Sequence, residues 1–428
     1  MARVTRLCVY PVKGLRGVDV ESALVTPTGL ELDRAWCVVD ESGARYAAME
    51  ALSNRKLSAL MTLSVEIEAE TLCIRAPAEF EMAPLRVPIA VASYADRREL
   101  VCTSSGKSTT DPNNAGWILG EMSCRSAGEE ASAWLSAYLN DPAVDRQKRK
   151  KPPAVYTLAR SMEAAECRDM LNYPPIFPII ETAHAGQRWS GNRTRFHDFA
   201  PFLVVNQASV RALSVLCGVD YPADAFRSSI YVDGGASDGD ALEPWAEETW
   251  RRMAIGDVAL SKIKECPRCT VPCRDPTTGE YLFAGRDKLK LWATLKKEFP
   301  GKANDEEWST WKGVFFGVYF GHNGLGTGKT IRVGDRLTVT ERTTWDAHIR
   351  ARNRFNGAVG SVLFGAVAIA VETLAERFAP NSALVAKVFR HPALVAAFGS
   401  WSALVVFLAA LVLVWWSPVA AVARRVRL

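Results

Sequence analysis

At 428 residues and 48% hydrophobic content, the chain is long enough to bury a large core, with length for two folded domains and further apolar sequence. Its formal net charge of +5 is small for that length, and no Lys/Arg stripe with interleaved aromatics appears, so nucleic acid is excluded as the expected partner. Ten cysteines lie between Cys8 and Cys273 without regular spacing, in a chain too large to need staples. That pattern excludes a disulfide scaffold and points to a reducing compartment.

Met1 to Val12 carries Arg3 and Arg6 but no apolar run of the signal-peptide kind, and it leads into strand-like sequence. Val4 to Val12 reads as a first strand. Leu63, Val65 and Ile67 alternate with Ser64, Glu66 and Glu68, the period of a half-buried strand, and Glu70-Thr71 turns into a second strand at Leu72 to Ile74. Many short strands punctuated by Gly and Pro make residues 1–103 a small β-barrel candidate. Residues 104–125, rich in Ser, Thr, Asn and Gly, read as an exposed loop. Glu129 to Leu139 has helical spacing, with Trp134, Leu135 and Tyr138 on its core-facing stripe. The basic run from Arg146 to Lys151 reads as a solvated linker. Residues 166–198 are Pro-rich and irregular. Beyond them come a helix at Ser209 to Leu216, a strand at Val258 to Ile263, and Gly-Asp turns at Gly256-Asp257 and Gly334-Asp335. Gly324 to Lys329 lacks the spacing of a phosphate loop and precedes a strand rather than a helix.

The stretch from Lys264 to Gly279 (Lys-Glu-Cys-Pro-Arg-Cys-Thr-Val-Pro-Cys-Arg-Asp-Pro-Thr-Thr-Gly) sets Cys266, Cys269 and Cys273 among Lys264, Arg268 and Arg274. Neighbouring cations favour the ionised form of a thiol. Four chemistries are open to it. A structural zinc site needs four ligands, and this run offers three without a nearby His. An iron–sulfur cluster lacks its fourth cysteine. A redox Cys-x-x-Cys would open a helix, which Pro272 and Asp275-Pro276 oppose. The fourth is a single thiolate that ligates the metal of a cofactor.

Cys266-Pro267-Arg268-Cys269 followed by Asp275-Pro276-Thr277-Thr278-Gly279 resembles the cysteine motif of MOSC-domain proteins. Within them it is most similar to the mitochondrial amidoxime-reducing component and to the C-terminal domain of molybdenum cofactor sulfurase. The resemblance extends through Tyr10-Pro11-Val12-Lys13-Gly14, Thr26-Pro27-Thr28-Gly29-Leu30, Asp33-Arg34-Ala35-Trp36, Pro201-Phe202-Leu203, Phe226-Arg227 and Thr330 to Asp335. It implies a β-rich mixed α/β fold: a MOSC N-terminal β-barrel domain over 1–103 and a barrel-like MOSC domain with inserted loops and helices over 104–340, leaving 341–428 to be read from its own composition as a linker with a membrane anchor. It also implies the molybdenum cofactor, a pterin with a dithiolene and a phosphate, with Cys269 as the metal ligand and catalytic residue. Lys13, Arg34, Arg227 and Arg268 would contact the pterin and its phosphate, cationic types that such an anion requires. Gly14, Ser229 and Pro267 also map to the pocket but depart from the relatives, which have serine, asparagine and serine there. Asp198 and Phe199 stand where the relatives have small hydroxyl residues.

By that resemblance the chain reduces amidoximes, hydroxylamines and N-oxides, converting N–OH to N–H and water. No flavin fingerprint, haem motif or iron–sulfur run supplies electrons. Electrons must then come from outside, and the resemblance implies a cytochrome b5-type protein and its NADH-dependent flavin reductase as the donors. The alternative is a MOSC protein that carries cofactor or sulfur without reducing a substrate, though the pyridoxal-phosphate domain that would generate the sulfur is missing.

The apolar mass lies at the C-terminal end. Residues 393–416 run about 24 residues without a charge, enough to cross a ~30 Å hydrocarbon core. Trp401, Trp415 and Trp416 suit the interfaces, and Arg424, Arg425 and Arg427 follow. A single tail anchor with the folded part facing the cytosol is the expected topology, in the mitochondrial outer membrane ahead of the endoplasmic reticulum. The alternative is a hairpin that adds residues 355–371, at about 17 residues the lower limit for a span.

Overall fold

The computed structural model describes residues 1–40, 49–50, 57–103, 121–144, 154–169, 191–234, 242–298 and 314–342. The expected spans at 355–371 and 393–416, and the basic run at 146–151, lie outside these described residues. Among the described residues no helix is long and apolar enough to cross a membrane.

The fold is β-rich, as expected. One sheet runs, in spatial order, through Leu337–Arg342, Trp250–Ile255, Val258–Arg268, Val314–Gly321, Phe202–Asn206, Ile230–Gly234, Ala2–Val9 and Val18–Val20. The second runs through Val12–Lys13, Trp36–Asp40, Tyr156–Ser161, Glu121–Ser126, Glu99–Thr103 and Met49–Glu50. The N-terminal segment thus feeds both: Ala2–Val9 enters the first sheet, and Val12–Lys13, after Pro11, enters the second. Pro11 supplies no amide to a ladder, and the strand expected from Val4 to Val12 divides there. Residue 103, the expected domain boundary, ends a strand paired antiparallel with Glu121–Ser126, so part of the expected loop at 104–125 is sheet. In the irregular segment, Arg168–Asp169 and Arg193–Thr194 pair as two short strands.

Local chemistry accounts for the elements that frame the site. Ser64–Glu68 buries Val65 and exposes Glu66, and it pairs with Thr71–Arg75 in register from Ser64↔Arg75 to Glu68↔Thr71. Helix Glu129–Leu139 begins with two acids on its positive end. It buries Ala131, Leu135, Tyr138 and Leu139, the i, i+4, i+7, i+8 stripe of a helix packed on one side. Trp134 lies at the edge of that stripe, half-buried, with its indole N–H donating to the Ala83 carbonyl at 2.7 Å. Helix Gln207–Cys217 is capped by Asn206, which accepts the Ala208 N–H at 3.0 Å, and stops at Gly218 with a left-handed φ of 70°.

The cysteine stretch begins as strand. The expected strand at Val258 to Ile263 continues to Arg268, with register shifts between Lys262 and Lys264 and between Glu265 and Pro267. A bulge admits an extra residue and a proline without breaking the sheet, so Pro267 does not end the element as its type suggests. Beneath the bulge, buried Lys262 donates to the Glu265 carboxylate and to the Glu248 carbonyl, fixing how the strand end is aimed.

Glu247 is fully buried, its carboxyl oxygens 2.9 and 3.0 Å from the Ser209 hydroxyl. Burial pushes its pKa up to about 7, against the opposing pull of its own backbone N–H, Ser209 and Asn206. A raised carboxyl supports the fold fully below its ordinary pKa and loses that support as pH rises through the folded value. Between pH 5 and pH 8 the native chain should therefore lose about 3 kcal/mol of stability that Glu247→Gln does not lose. Denaturant unfolding of both proteins at the two pH values reads this difference.

Candidate functional site

Cys269 is the exposed thiol of the stretch. It follows directly on the Val258–Arg268 strand, and the chain then turns through Thr270 into a short 3-10 segment at Val271–Cys273. Cys266 and Cys273 are 3% and 0% exposed and pack into separate apolar clusters, the first with Phe199 and Tyr319, the second with Phe226 and Phe316. Burial pushes the Cys273 thiol up, away from the ionised form a metal needs. Among the described residues, three ligand-type atoms within 4.8 Å of one another occur at Glu66, Glu68 and Cys73, not at the three thiols of this stretch. The geometry favours one presented sulfur over a three-cysteine metal cage.

Asp275 to Gly279 is the turn its sequence suggests. The Asp275 Oδ1 accepts the N–H groups of Thr277 and Thr278 at 2.7 and 2.8 Å. Gly279 adopts a φ of 70°, and a Cβ there would lie 2.6 Å from the Ser58 carbonyl oxygen, so only glycine fits. Arg274 donates to the Gly279 carbonyl at 2.7 Å and lies over the Tyr281 ring, which makes it part of the turn rather than a partner for the thiol. Arg16 ties the same turn back to the N-terminal segment through the Thr277 carbonyl at 2.8 Å.

Two arginines, Arg268 and Arg34, converge on the Phe226-Arg227 backbone. Arg268 Nη1 donates to the Phe226 carbonyl at 2.9 Å and its Nε to the Phe316 carbonyl at 2.7 Å. Arg34 Nη2 donates to the Arg227 carbonyl at 2.9 Å. Arg227 Nη2 donates to the Leu15 carbonyl at 2.7 Å, and the Arg34 and Arg227 guanidiniums both lie 4.4 Å from the centre of the Tyr10 ring. Both arginines have left-handed backbones, φ 50° and 53°, conformations that cost a non-glycine residue.

Asp33 anchors the group. It is fully buried, accepts the Tyr10 N–H at 2.8 Å, grips Arg34 through both oxygens at 2.5 and 2.6 Å, and meets His197 Nε2 at 3.2 Å. Burial alone would raise its carboxyl, but Arg34, His197 and the Tyr10 amide outweigh it and hold the pKa below the usual range. Burial pulls His197 down to about 4 despite Asp33, so its ring is neutral near pH 7. Arg34 has Asp33 as its counter-charge. Among the described residues Arg227 has no carboxylate in ion-pair reach, and burial, with Arg34 alongside, pulls it below the ordinary guanidinium range.

Lys13, in the Val12–Lys13 strand, donates its amine to the Phe196 carbonyl at 2.9 Å and to the Asp198 carboxylate. The next residue, Gly14, has a φ of 90°, which glycine adopts without strain. Ser229 is buried and its hydroxyl is engaged by the Leu203 backbone at 3.2 and 3.3 Å. Pro267 is half-buried opposite Phe315 on the neighbouring strand. Sequence reasoning assigned no role to Asp33, Tyr10 or His197. Asp33 and Tyr10 stand inside the quoted motifs, an acid beside a motif arginine being the available signal; nothing in sequence marks His197.

The donor set suits an anionic, metal-bearing group. Arg268 Nη2 is buried without a hydrogen-bond partner among the described residues, a costly state that an anion would relieve. Among the described residues Arg227 makes no direct ion pair, and the next residue after Arg268 is the exposed thiol Cys269.

Residues 1–142 match the model of the MOSC N-terminal beta barrel domain and residues 191–338 that of the MOSC domain. Mitochondrial amidoxime reducing component 2 of Bos taurus is 25% identical over 337 residues, covering 78% of this chain and 81% of its own length. The Homo sapiens component 2 is 26% identical over 336 residues, covering 78% and 82%. Mitochondrial amidoxime-reducing component 1 of Mus musculus is 26% identical over 337 residues, covering 78% and 80%.

Proposed function

The chain belongs to the MOSC-domain family, and from that premise we propose that it is a molybdenum-cofactor oxidoreductase that reduces N-hydroxylated compounds: amidoximes, hydroxylamines and N-oxides. The observation that carries this reading is the single exposed thiol, Cys269, set directly after an arginine whose buried Nη2 has no partner. The relatives named as amidoxime-reducing components support the substrate class.

In this reading Cys269, as thiolate, holds the metal, since soft thiolates suit such sites and only the deprotonated form binds. Arg268 and Arg227 hold the cofactor's anionic edge, Arg268 through the donor it leaves unused and Arg227 through a guanidinium that no carboxylate bonds directly among the described residues. Lys13 adds a third cation and Arg34, locked by Asp33, fixes Arg227 in place. When bound, the cofactor supplies the two-electron chemistry that turns N–OH into N–H and water. Tyr10, buried and in contact with both guanidiniums, shields them from water, which strengthens their pull on an anion.

The electrons would come from a cytochrome b5-type donor and its NADH-dependent flavin reductase. A C-terminal anchor at residues 393–416 would hold the folded part on the cytosolic face of the mitochondrial outer membrane, beside such donors, raising their effective concentration. The test is molybdenum content of the purified full chain, followed by benzamidoxime reduction with NADH, cytochrome b5 and its reductase. Molybdenum with donor-dependent benzamidine formation is the expected result. Molybdenum without reduction leaves a cofactor carrier, and a chain that acquires no molybdenum overturns the reading.

A further inference from the structure

We propose that Asp198 is a resident counter-anion: its carboxylate caps Lys13 within the cluster of Lys13, Arg34 and Arg227, so an incoming phosphate must displace it. The inference rests on the proposed cofactor for the identity of that phosphate.

The pairing is asymmetric. The Lys13 side chain is 7% exposed and its amine is bonded, among the described residues, to the Phe196 carbonyl and Asp198, whereas the Asp198 side chain is 78% exposed. A buried ammonium needs an anion, while an exposed carboxylate can swing into water at little cost. Its backbone, by contrast, is fixed. His197 on one side is buried and held by Asp33, and Phe199 on the other packs against Tyr319 with ring centres 5.5 Å apart. The carboxylate is thus delivered to one place and free to leave it.

Its charge state fits a counter-anion and not a proton donor. Desolvation by its surroundings would raise the Asp198 pKa, but Lys13, then Arg34 and Arg227, hold it at about 2. The same cations that hold Asp198 are those that an anionic ligand would use. A site whose cation is already capped binds its ligand more weakly by the fraction of time it is uncapped. Asp198 therefore sets how anionic a ligand must be to enter: a dianionic phosphate competes well, a carboxylate or a singly charged anion poorly.

The experiment uses the metal-free full chain and inorganic phosphate as the probe, read by titration calorimetry, alongside molybdenum content after expression with the cofactor available. Asp198→Asn and Asp198→Ser should each bind phosphate roughly tenfold tighter than the native chain, because the uncapped fraction approaches unity. Adding Lys13→Met to Asp198→Asn should abolish the gain. Unchanged or weaker phosphate binding in both single variants overturns the proposal and makes Asp198 a residue that orients Lys13. A phosphate gain with no molybdenum in any variant leaves the counter-anion standing and removes the cofactor reading. Molybdenum in the native chain without a phosphate gain does the reverse.

Discussion

Cys269→Ser is expected to reduce N-hydroxyl reduction by at least roughly 100-fold, the scale seen when even an outer-shell partner of a metal is lost. A neutral hydroxyl is a poor substitute for a thiolate at a soft metal. The substitution itself should cost the fold little, because Cys269 is exposed and serine is close to it in size. Cys266→Ser and Cys273→Ser should behave in the opposite way. Both thiols are buried among apolar side chains, so a hydroxyl there costs about 1–3 kcal/mol of stability while activity per folded molecule survives. Activity and unfolding curves on the three variants check this. An active Cys269 variant beside a dead Cys273 variant would mean that the wrong thiol has been assigned.

Arg268→Ala is expected to strip the chain of cofactor. It removes the donor that has no internal partner and leaves the Phe226 and Phe316 carbonyls without theirs. A charge-assisted bond to a desolvated anion is worth about 1.5–3 kcal/mol, or roughly 10- to 150-fold in affinity. Arg227→Ala should act in the same direction, through the loss of a cation near the anion rather than of an unused donor. Arg268→Lys should recover part of the loss, keeping the charge without the fork that reaches two carbonyls at once. Molybdenum per chain is the measurement, and undiminished content in both alanine variants would remove these arginines from the site.

What was legible in the sequence was whatever neighbours in the chain decide. Helix Glu129–Leu139 has the expected bounds because its acids, its stripe and its length agree. The Ser64–Glu68 hairpin follows from strict alternation. The turn at Asp275 follows from residue types two and three positions apart. The strand expected to end at Ile263 runs on to Arg268 because a proline is admissible at a bulge, and the bulge is set by the partner strand and by Lys262 below it.

The site's anchoring was not legible, because its contacts are long-range. Asp33 reaches Tyr10 across 23 residues and His197 across 164, and Lys13 reaches Asp198 across 185. No pattern of period or spacing carries such pairs. Family motifs gave the residue types that meet in the pocket. They did not say that Arg34 would be neutralised by Asp33 while, among the described residues, Arg227 would make no direct ion pair and Arg268 would keep a donor unused.

X-ray absorption at the molybdenum edge, on the purified full chain and on Cys269→Ser, tests the central claim most directly. Ligation by Cys269 predicts a metal in the native protein with one more sulfur neighbour than the metal that remains in the variant. An unchanged sulfur shell in Cys269→Ser, or a native protein loaded under cofactor-replete expression that contains no molybdenum, would contradict it.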